Sequence, residues 1–457
     1  MNLWEQCHPE LIADLYEFTM AASYWTERME GEATFSLFIR KYPVNRAYFV
    51  AAGLEHLVDI IENFQFNKES LEYLATSGKF SLDFLNYLAK FRFSGTVRAL
   101  PEGTLFFTDE PIVEVTGPIL EAQLLETVVI NIIHLETLLA TKAARCMHAA
   151  AGRGLVDFGL RRAQGVDAGL KAARASYLTG FLGTSNVLAG KIYGIPVYGT
   201  MAHSYVTSFA REMDAFHAYA RAFPDGTVLL VDTYDTLTGA RKAVEVARRL
   251  RARGYALRAV RLDSGDLAGL SRAVRELFRR EGFPDVKIMV SGGLDEYRLE
   301  ELLNNGAEFD LVGIGTRLVV SADAPYLDMA YKLVEYDGRP ILKLSPGKKT
   351  WVGKKQIQRF HDPQGKMSHD VLGLDTESMP GARRLLEVFM QDGQRRRPRE
   401  SLDRIRERFR QEWETLPDPY RAIRPQEHYP LEVSAALEQL EQEVIHQRER
   451  EEMGRDG

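Results

Sequence analysis

Cysteine is scarce in this chain of 457 residues, which contains only Cys7 and Cys146. Two thiols so far apart in the sequence cannot build the disulfide framework of a small secreted protein or a four-ligand zinc cage. The paired histidine and cysteine spacings of zinc enzymes and the glycine-rich Walker loop are also absent from the sequence. We therefore expect a reducing compartment, no dedicated protein cage for a metal and, for any ATP that is used, a site built from other loops.

Long apolar runs and a strong excess of one charge sign are missing as well. No stretch approaches the roughly 20 apolar residues that span a bilayer, and the N-terminus has no basic region followed by an apolar block. The 58 Lys and Arg residues face 64 Asp and Glu residues, a formal net charge of -6, so no global basic surface attracts nucleic acid or an anionic membrane. We predict a cytoplasmic protein that binds neither nucleic acid nor membrane.

The middle of the chain alternates short β-branched runs with helical patterns. Each run ends in Gly, Asp, Ser or Thr, as buried strands that lead into loops often do. Between them, apolar residues recur at three- and four-residue steps over 238–254 and 268–282, and a glycine ends each pattern. Repeated strand–helix units predict a parallel sheet with right-handed crossovers. The predicted strands lie within 154–159, 195–200, 226–235, 257–266, 286–293 and 309–316.

Length and composition predict more than one domain. With 45% apolar and 27% charged residues, the chain is an ordinary globular protein, yet it is longer than one hydrophobic core usually supports. An open doubly wound sheet and a closed (β/α) barrel both fit the alternation over 126–334, and the polar residues at nearly every strand end favour the barrel. Residues 1–125 and 335–400 mix helix with short strands, so we predict one discontinuous α+β domain that caps the substrate. Residues 401–457 are predicted to form a charged, solvated helical tail.

A pair of aspartates follows one predicted strand in the phrase VRLDSGDL, residues 260–267. Asp263 and Asp266 flank a Ser-Gly turn, where two carboxylates can bind a magnesium ion or ribose hydroxyls. The alternative is structural, with Asp266 only capping the next helix. Arg261, just before the turn, carries a planar guanidinium whose N–H donors suit a carboxylate ligand. The alternative role of this side chain is an ion pair within the fold.

Glycines end two consecutive predicted strands, in the phrases SGG at 291–293 and GIGT at 313–316. Glycines there let backbone N–H groups approach an anion, and the last two loops of a (β/α) barrel often bind phosphate. Turn geometry is the alternative for each glycine taken alone. Arg161 and Arg162 follow another predicted strand, and one of them can neutralise a phosphate unless both belong to a solvated helix start. Together these residues predict a site for a magnesium-bound phosphorylated sugar.

His203 follows the apolar run at 195–197 within the phrase YGTMAHSYVTS. A lone histidine in such a place is either a hydrogen-bonded packing residue or a chemical participant, and the residues alone leave both open. A hydrolase triad is not indicated, because no G-x-S-x-G motif surrounds Ser204 and the nearby acids lie too close in sequence.

Six phrases occur in an order and at separations that point to one family. They are LIADLYEFTMAASYW (11–25), DFGLRRAQG (157–165), SYLTGFLGTSNVLAG (176–190), GTMAHS (199–204), RLDSGDL (261–267) and GIGTRL (313–318). As a set they resemble the nicotinate phosphoribosyltransferase family. The resemblance covers the chain from about residue 10 to 345, whereas the tail beyond 395 contributes little.

The resemblance implies a type II phosphoribosyltransferase with an irregular α/β barrel, completed by an N-terminal α/β domain. It also implies that nicotinate and 5-phosphoribosyl 1-pyrophosphate give nicotinate mononucleotide and pyrophosphate, the first step of NAD salvage from nicotinate. The resemblance further implies that ATP is a co-substrate whose hydrolysis drives the reaction, and that Mg2+ assists it. It also implies a homodimer. In that family the histidine of G-T-x-A-H-S is transiently phosphorylated by ATP, a role that would fall here on His203.

The resemblance also implies ligand contacts. Tyr16 and Thr200 should border nicotinate, and Arg261 should bind its carboxylate. The remaining candidates are Arg161, Arg162, Gly293, Gly315 and Thr316 for the phosphoribosyl and pyrophosphate groups, and Asp263 and Asp266 for ribose or magnesium. The two glycines of VSGGLDE depart from the bulkier polar residues of some relatives, which leaves the local phosphate geometry open.

Three other functions stay open on the sequence. A nicotinamide phosphoribosyltransferase shares the fold and the histidine, but nicotinate needs a cation at its carboxylate and Arg261 favours the acid. A quinolinate phosphoribosyltransferase has the same general barrel, a shorter chain and no need for a phosphorylatable histidine. A catalytically silent scaffold that binds partners through the charged tail is disfavoured by the presence of His203, Arg261 and both aspartates.

Overall fold

The computed structural model describes residues 8–344 and 350–454, so Cys7 lies outside the described residues. The chain divides into two compact units. Unit one comprises Met1–Thr141 and Ala324–Gly457, and unit two comprises Lys142–Asp323.

Strands and helices fill both units. The strands of the described residues are β1 (Glu32–Ile39), β2 (Phe49–Val50), β3 (Thr96–Ala99), β4 (Leu105–Phe106), β5 (Val113–Pro118), β6 (Gly154–Asp157), β7 (Gly183–Thr184), β8 (Val228–Leu230), β9 (Ala259–Leu262), β10 (Lys287–Val290), β11 (Leu311–Ile314), β12 (Met329–Tyr336), β13 (Arg339–Pro340), β14 (Lys355–His361), β15 (Met367–Leu374), β16 (Arg383–Arg384), β17 (Glu387–Gln391), β18 (Gln394–Arg395) and β19 (Leu431–Val433). The helices are α1 (Leu15–Thr26), α2 (Leu54–Glu62), α3 (Lys68–Thr76), α4 (Leu82–Leu88), α5 (Ile119–Gln123), α6 (Glu126–Ala149), α7 (Val166–Leu178), α8 (Val187–Tyr193), α9 (His203–Thr207), α10 (Glu212–Ala222), α11 (Thr236–Arg251), α12 (Leu267–Arg280), α13 (Glu296–Asn304), α14 (Thr316–Val319), α15 (Leu402–Thr415), α16 (Asp418–Arg421) and α17 (Ala435–Met453). Short 3-10 turns cover Pro9–Leu11, Leu160–Arg162 and Pro224–Gly226.

Unit two is built on a six-stranded parallel sheet in the order β7-β6-β11-β10-β9-β8. The register pairs Met289 of β10 with both Leu311 of β11 and Arg261 of β9. Five of the six predicted runs contain a strand of this sheet, and helices follow them as expected. The predicted α/β class with a parallel sheet is therefore confirmed.

The predicted closed barrel is not confirmed, because the end strands β7 and β8 do not pair with each other within the described residues. The predicted strand at 195–200 supplies only an isolated parallel bridge, between Val197 and Thr184. Beyond this bridge the chain turns into α9 instead of continuing as a strand, so no ladder forms between that end and β8. The sheet is open in its backbone hydrogen bonds.

Capping and apolar spacing explain the helices that flank this sheet. Asp235 accepts a hydrogen bond from the backbone N–H of Thr238 at 2.9 Å, which caps α11. Along α11 the buried residues Ala240, Val244 and Ala247 recur at the spacing of one helical face. Gly239 lies against the Val231 carbonyl, where a Cβ would come within 2.1 Å of the oxygen, so a larger residue would push the helix away from the sheet.

Unit one is built on a seven-stranded sheet in the order β13-β12-β1-β5-β3-β17-β18. Strand β1 pairs antiparallel with β5 on one side and with β12 on the other. The strands β12, β13, β17 and β18 come from the sequence that follows unit two, so the sheet combines both ends of the chain. Seven of the eight residues of β1 are buried, which requires cover on both faces of the sheet.

The segment 401–454 is only partly solvated. Helix α15 buries Ile405 and Phe409, whose four-residue spacing gives this highly charged helix one apolar face. Its Glu412 accepts a hydrogen bond from the buried guanidinium of Arg359 at 2.9 Å. Strand β19 pairs in parallel with β15. Counting charges along the sequence overlooks such a narrow apolar stripe.

Helix α6 is the one helix of the described residues that is long and apolar enough to cross a membrane, by length and composition alone. The sequence pattern did not predict a helix of this kind. Of its most apolar window, 72% is buried inside the protein, as is common for the core helix of a globular protein.

Candidate active site

Polar side chains gather at the carboxyl edge of the parallel sheet in unit two. Strands β8, β9 and β10 are parallel neighbours, so the loops that follow them lie side by side. Arg261 lies on β9, Asp263 follows that strand, and Ser291 follows β10. This edge is where ligands commonly bind in α/β proteins.

Arg261 is oriented by three hydrogen bonds. Its Nε donates to Ser291 Oγ at 2.8 Å, Nη1 donates to Thr200 Oγ1 at 3.1 Å, and Nη2 donates to Asp263 Oδ1 at 2.6 Å. The guanidinium carbon lies 5.3 Å from the ring centre of Phe158, within the range of a cation–π contact. A guanidinium has five N–H donors, so one N–H remains on each terminal nitrogen. Those two groups can bind a carboxylate in a bidentate manner.

Asp263 links the guanidinium to the imidazole. Its Oδ1 accepts hydrogen bonds from Arg261 and from the Ser291 hydroxyl, and its Oδ2 lies 4.0 Å from His203 Nε2. Burial would raise the pKa of Asp263, but the hydrogen bond from Ser291 and the charge of Arg261 outweigh it and hold the pKa below its ordinary value. Asp263 is therefore an ionised carboxylate between two cationic or potentially cationic groups.

His203 is the first residue of α9 and is accessible, with 45% of its side chain exposed. This exposure removes the alternative of a buried packing histidine. Its Nδ1 lies 3.1 Å from Thr233 Oγ1. When Nδ1 carries the proton and donates to Thr233, the lone pair remains on Nε2, which is the form that a nucleophilic imidazole requires.

Asp232 is a site residue that the sequence analysis missed. Its Oδ2 accepts hydrogen bonds from the backbone N–H of Asp263 at 2.9 Å and from Ser264 Oγ at 2.6 Å. Its Oδ1 is buried and has no hydrogen-bond partner among the described residues. A buried carboxylate oxygen without a partner is unfavourable unless a ligand or cation satisfies it. Its position at the end of the run 226–235, matching that of Asp263 one strand along, is the signal that could have identified it.

Asp266 has the structural role that the sequence left open as an alternative. Its Oδ1 accepts a hydrogen bond from the backbone N–H of Gly269 at 3.2 Å, at the start of α12. The side chain is exposed, and a contact with ribose or magnesium stays a prediction.

The two glycine loops differ in what makes glycine necessary. Gly292 and Gly293 have φ angles of 93° and 64°, in the left-handed region that favours glycine. A Cβ on Gly292 would also come within 2.1 Å of the Asp263 carbonyl oxygen, so this glycine allows the loops after β9 and β10 to touch. Gly315 precedes the exposed Thr316, and its Cβ would lie 3.0 Å from the Phe158 carbonyl oxygen.

Arg161 and Arg162 lie on the 3-10 turn that follows β6, and both are exposed. Neither guanidinium has an ion-pair partner in the part of the chain that the structure describes. Both remain available for an anion, and which of them binds phosphate stays a prediction.

Tyr16 belongs to unit one, near the start of α1, and is 44% exposed. Burial of the hydroxyl and the neighbouring Glu126 raise the pKa of Tyr16 above its ordinary value, so the phenol stays protonated at neutral pH. An exposed, neutral aromatic side chain is suited to stack on a planar ligand.

Residues 8–344 and 350–454 contain no group of three or more His, Cys, Asp or Glu side chains that could hold a metal ion. Magnesium is often bound by only one or two carboxylates, with water and substrate phosphates as its other ligands. The unpartnered Oδ1 of Asp232 fits such a ligand set.

An ordered guanidinium and an accessible imidazole at this edge are typical of α/β proteins that bind small anionic ligands at the carboxyl ends of their strands. Comparisons with known proteins identify the family within this class. Family models match residues 11–134 as the nicotinate phosphoribosyltransferase N-terminal domain, 154–369 as the nicotinate phosphoribosyltransferase family, and 379–441 as its C-terminal domain. The chain belongs to the nicotinate phosphoribosyltransferase family, a family of enzymes.

Individual relatives match over most of their length. Nicotinate phosphoribosyltransferase pncB2 of Mycobacterium tuberculosis is 49% identical over 425 residues, which are 93% of this chain and 91% of that protein. Nicotinate phosphoribosyltransferase of Bacillus subtilis is 40% identical over 384 residues, 82% of this chain and 78% of that protein. The crystal structure of human nicotinic acid phosphoribosyltransferase, 32% identical, superimposes with a TM-score of 0.86 over 95% of this chain and 100% of that chain.

Proposed function

We propose that the protein transfers the 5-phosphoribosyl group of 5-phosphoribosyl 1-pyrophosphate to the ring nitrogen of nicotinate, giving nicotinate mononucleotide and pyrophosphate. This is the first step of NAD salvage from nicotinate, and ATP is hydrolysed to ADP and phosphate in the same cycle. Family membership supports the two substrates. The observation that carries the proposal is the guanidinium of Arg261, held in one orientation with two N–H groups left for a carboxylate.

Nicotinate recognition depends on charge and on planarity. Arg261 binds the carboxylate in a bidentate manner, and the amide of nicotinamide would lose one of those two charge-assisted hydrogen bonds. Thr200, which accepts from Arg261, and the ring of Phe158 border the same guanidinium. Tyr16 is proposed to stack on the pyridine ring.

Bond breaking at the anomeric carbon requires stabilisation of two opposite charges. Loss of pyrophosphate leaves a ribose with oxocarbenium character, and the ionised Asp263 supplies a negative charge for it. The departing phosphates need cations and N–H donors. The groups proposed for them are the backbone of Gly293 and Gly315, the Thr316 hydroxyl, and Arg161 or Arg162.

His203 is the proposed phosphoryl acceptor. The Nε2 lone pair attacks the γ-phosphorus of ATP, the bond to the β–γ bridging oxygen breaks, and ADP leaves. Water later cleaves the Nε2–phosphorus bond and releases phosphate. The Nδ1–H group donates to Thr233 Oγ1 throughout, so the proton stays on Nδ1 and Nε2 is the nucleophile in each cycle.

Magnesium is the proposed metal. Asp232, through its unpartnered Oδ1, and Asp263 are the residues that would hold it, with Asp266 as a further candidate. When bound, Mg2+ would neutralise phosphate charge.

A homodimer and a cytoplasmic location are also proposed. Exposed apolar side chains on unit two support the dimer, because monomeric proteins rarely leave such groups together in water. Three of them lie on α8, one is the bridge residue Val197 and one directly follows it: Val187, Leu188, Ile192, Val197 and Tyr198. A Cβ on Gly190 of α8 would come within 2.3 Å of the Val197 side chain, so the two groups are adjacent.

Product formation tests the proposal. Purified protein is incubated with 5-phosphoribosyl 1-pyrophosphate, Mg2+ and either nicotinate or nicotinamide, with and without ATP, and mononucleotide and pyrophosphate are quantified. We expect nicotinate mononucleotide, with stimulation by ATP. Preference for nicotinamide would identify the amide-specific enzyme instead, and no pyrophosphate release with either pyridine would favour the scaffold.

The phosphohistidine has its own test. In His203→Ala, slow synthesis should persist while stimulation by ATP disappears, because the transferase site is otherwise intact. ATP stimulation equal to that of the wild type in this variant would exclude His203 as the acceptor.

A further inference from the structure

Asp295 joins the two glycine loops of unit two. It follows the Ser-Gly-Gly loop after β10, and its side chain is 4% exposed. Its Oδ2 accepts a hydrogen bond from Arg317 Nη1 at 2.7 Å. Arg317 directly follows Thr316, at the end of the loop after β11. One ion pair therefore ties the loop that contains Gly293 to the loop that contains Thr316.

Glu296, the next residue, fixes the same segment through buried ion pairs with α6. Its carboxylate is fully buried, with Oε2 2.5 Å from Lys142 Nζ and Oε1 2.9 Å from Arg145 Nε. Lys142 Nζ also lies 2.6 Å from Asp323 Oδ1. Lys142 and Asp323 are the first and last residues of unit two, so the anchor sits where the chain enters and leaves it.

The ion pairs of Glu296 are fully buried, and that of Asp295 is buried on the carboxylate side; such pairs fix geometry more than they add stability. Desolvation of the charges offsets most of their attraction, but moving one partner leaves the other charge buried and unpaired. Asp295 has a second constraint, because its Oδ1 caps α13 by accepting from the backbone N–H of Arg298 at 2.9 Å. Asp295 thus fixes the position of the start of α13 relative to the start of α14, which contains Arg317.

Gly293 needs such an external tether, although its neighbour Gly292 packs against the Asp263 carbonyl. Gly293 has no side chain, and a Cβ there would meet no atom within 4 Å, so packing does not hold this residue. Binding an anion by backbone N–H groups from two loops requires that the loops keep their spacing before the anion arrives.

We propose that Asp295, through its ion pair with Arg317, is a positioning residue that sets the spacing of the two glycine loops and thereby the affinity for 5-phosphoribosyl 1-pyrophosphate. The proposal rests on the proposed function for the identity of this ligand. Asp295 is assigned no contact with substrate.

Asp295→Asn separates positioning from folding. Asparagine caps helices as well as aspartate does, so α13 should keep its cap while the ion pair loses its charge. Calorimetric titration with 5-phosphoribosyl 1-pyrophosphate and Mg2+ should give a Kd about tenfold weaker, equivalent to about 1.4 kcal/mol. The KM for this substrate should rise in parallel, while the KM for nicotinate and the Tm stay near their wild-type values.

Arg317→Gln removes the charge of the exposed partner of the same ion pair and should weaken binding of 5-phosphoribosyl 1-pyrophosphate similarly. The double variant should be no weaker than either single variant, because both remove one interaction. Glu308→Gln is the matched control, since Glu308, in the loop before β11, forms an ion pair with Arg279 of α12 at 3.0 Å and should leave the Kd unchanged.

A wild-type Kd in Asp295→Asn and Arg317→Gln would overturn the proposal, and a lowered Tm with unchanged Kd would assign the pair a purely structural role. Additive losses in the double variant would also contradict it. A wild-type protein that binds the ligand but forms no mononucleotide would refute the proposed function, while the titrations would still measure the coupling.

Discussion

Arg359 in unit one and Arg261 in unit two are both held by acidic side chains, yet they leave different chemistry available. Arg359 is completely buried, donates Nε and Nη2 to Asp370 at 2.9 and 2.6 Å, and donates Nη1 to Glu412 at 2.9 Å. Arg261 has one carboxylate partner, and two hydroxyl groups provide the rest of its support.

The difference lies in what neutralises the charge. Asp370 and Glu412, which also pairs with Arg383, balance the charge of Arg359, and burial together with Asp370 raises the pKa of the neighbouring Glu110 well above its ordinary value. The hydroxyls of Ser291 and Thr200 orient Arg261 without cancelling any charge. Full burial and two carboxylate partners leave Arg359 a structural role, whereas Arg261, with one carboxylate partner and a partly exposed side chain, keeps N–H donors for an external anion.

Arg359→Met should have the largest effect on stability. Removal of Arg359 leaves the buried carboxylate of Asp370 without its cation, which typically destabilises by about 3–5 kcal/mol. Urea denaturation should show this loss, while kcat/KM per folded molecule stays close to the wild-type value. Arg410→Met is the control, because Arg410 forms exposed ion pairs with Glu407 and Glu414 on the same C-terminal region. Loss of nicotinate specificity in Arg359→Met would contradict the purely structural role assigned to Arg359.

Arg261→Lys should reverse that pattern. Lysine keeps the charge but cannot form a bidentate pair, so kcat/KM for nicotinate should fall about a hundredfold, equivalent to about 2.7 kcal/mol of transition-state stabilisation. The free energy of unfolding should change little, because Asp263 keeps a cationic neighbour. Steady-state kinetics with nicotinate and nicotinamide measure the effect, and equal losses with both pyridines would argue against a contact with the carboxylate.

The sequence was sufficient to predict the parallel sheet and the grouping of Arg261, Asp263 and His203 at one edge. Strand ends in a parallel sheet share an edge whatever the side chains do, so the positions of polar residues after apolar runs carry that information. The closed barrel was not predictable in this way, because closure depends on whether residues beyond Val197 continue as a strand or begin α9.

The partners of charged residues were also beyond sequence reasoning. Arg359 and Arg261 both lie on strands, β14 and β9, and only the fold determines which carboxylates face them. The position of Asp232 at a strand end was visible in the sequence, but its unpartnered oxygen is defined by burial and not by a motif. Asp266 shows the converse, since a motif residue proved to cap a helix.

Ser291→Ala should have a smaller effect than Arg261→Lys and sharpens the comparison of the two arginines. The variant removes the acceptor for Arg261 Nε and a donor to Asp263 while leaving the charge in place. Losing one such orienting hydrogen bond is expected to remove about 1 kcal/mol, or about fivefold in the KM for nicotinate. Ser204→Ala on the exposed part of α9 is a control with the same chemical change. An unchanged KM for nicotinate would mean that Thr200 and Asp263 alone orient the guanidinium.

Glu17 in unit one and Asp263 in unit two extend the comparison to carboxylates, with opposite dependence on pH. Burial raises the pKa of Glu17 to about 7, although the hydrogen bonds from Thr127 and Asp14 partly offset it. Between the ordinary value of 4.5 and about 7 the folded state holds a proton that the unfolded state has lost, so this group makes stability fall as pH rises through that window. Asp263, whose pKa is lowered, stabilises the fold at pH values above its ordinary pKa of 3.8 and loses this contribution as pH falls.

Urea midpoints measured between about pH 5 and 8 should therefore decline less steeply with pH in Glu17→Gln than in the wild type, because glutamine has no proton to lose. Parallel slopes for the two proteins would mean that the carboxyl of Glu17 stays ionised in the folded state across this range.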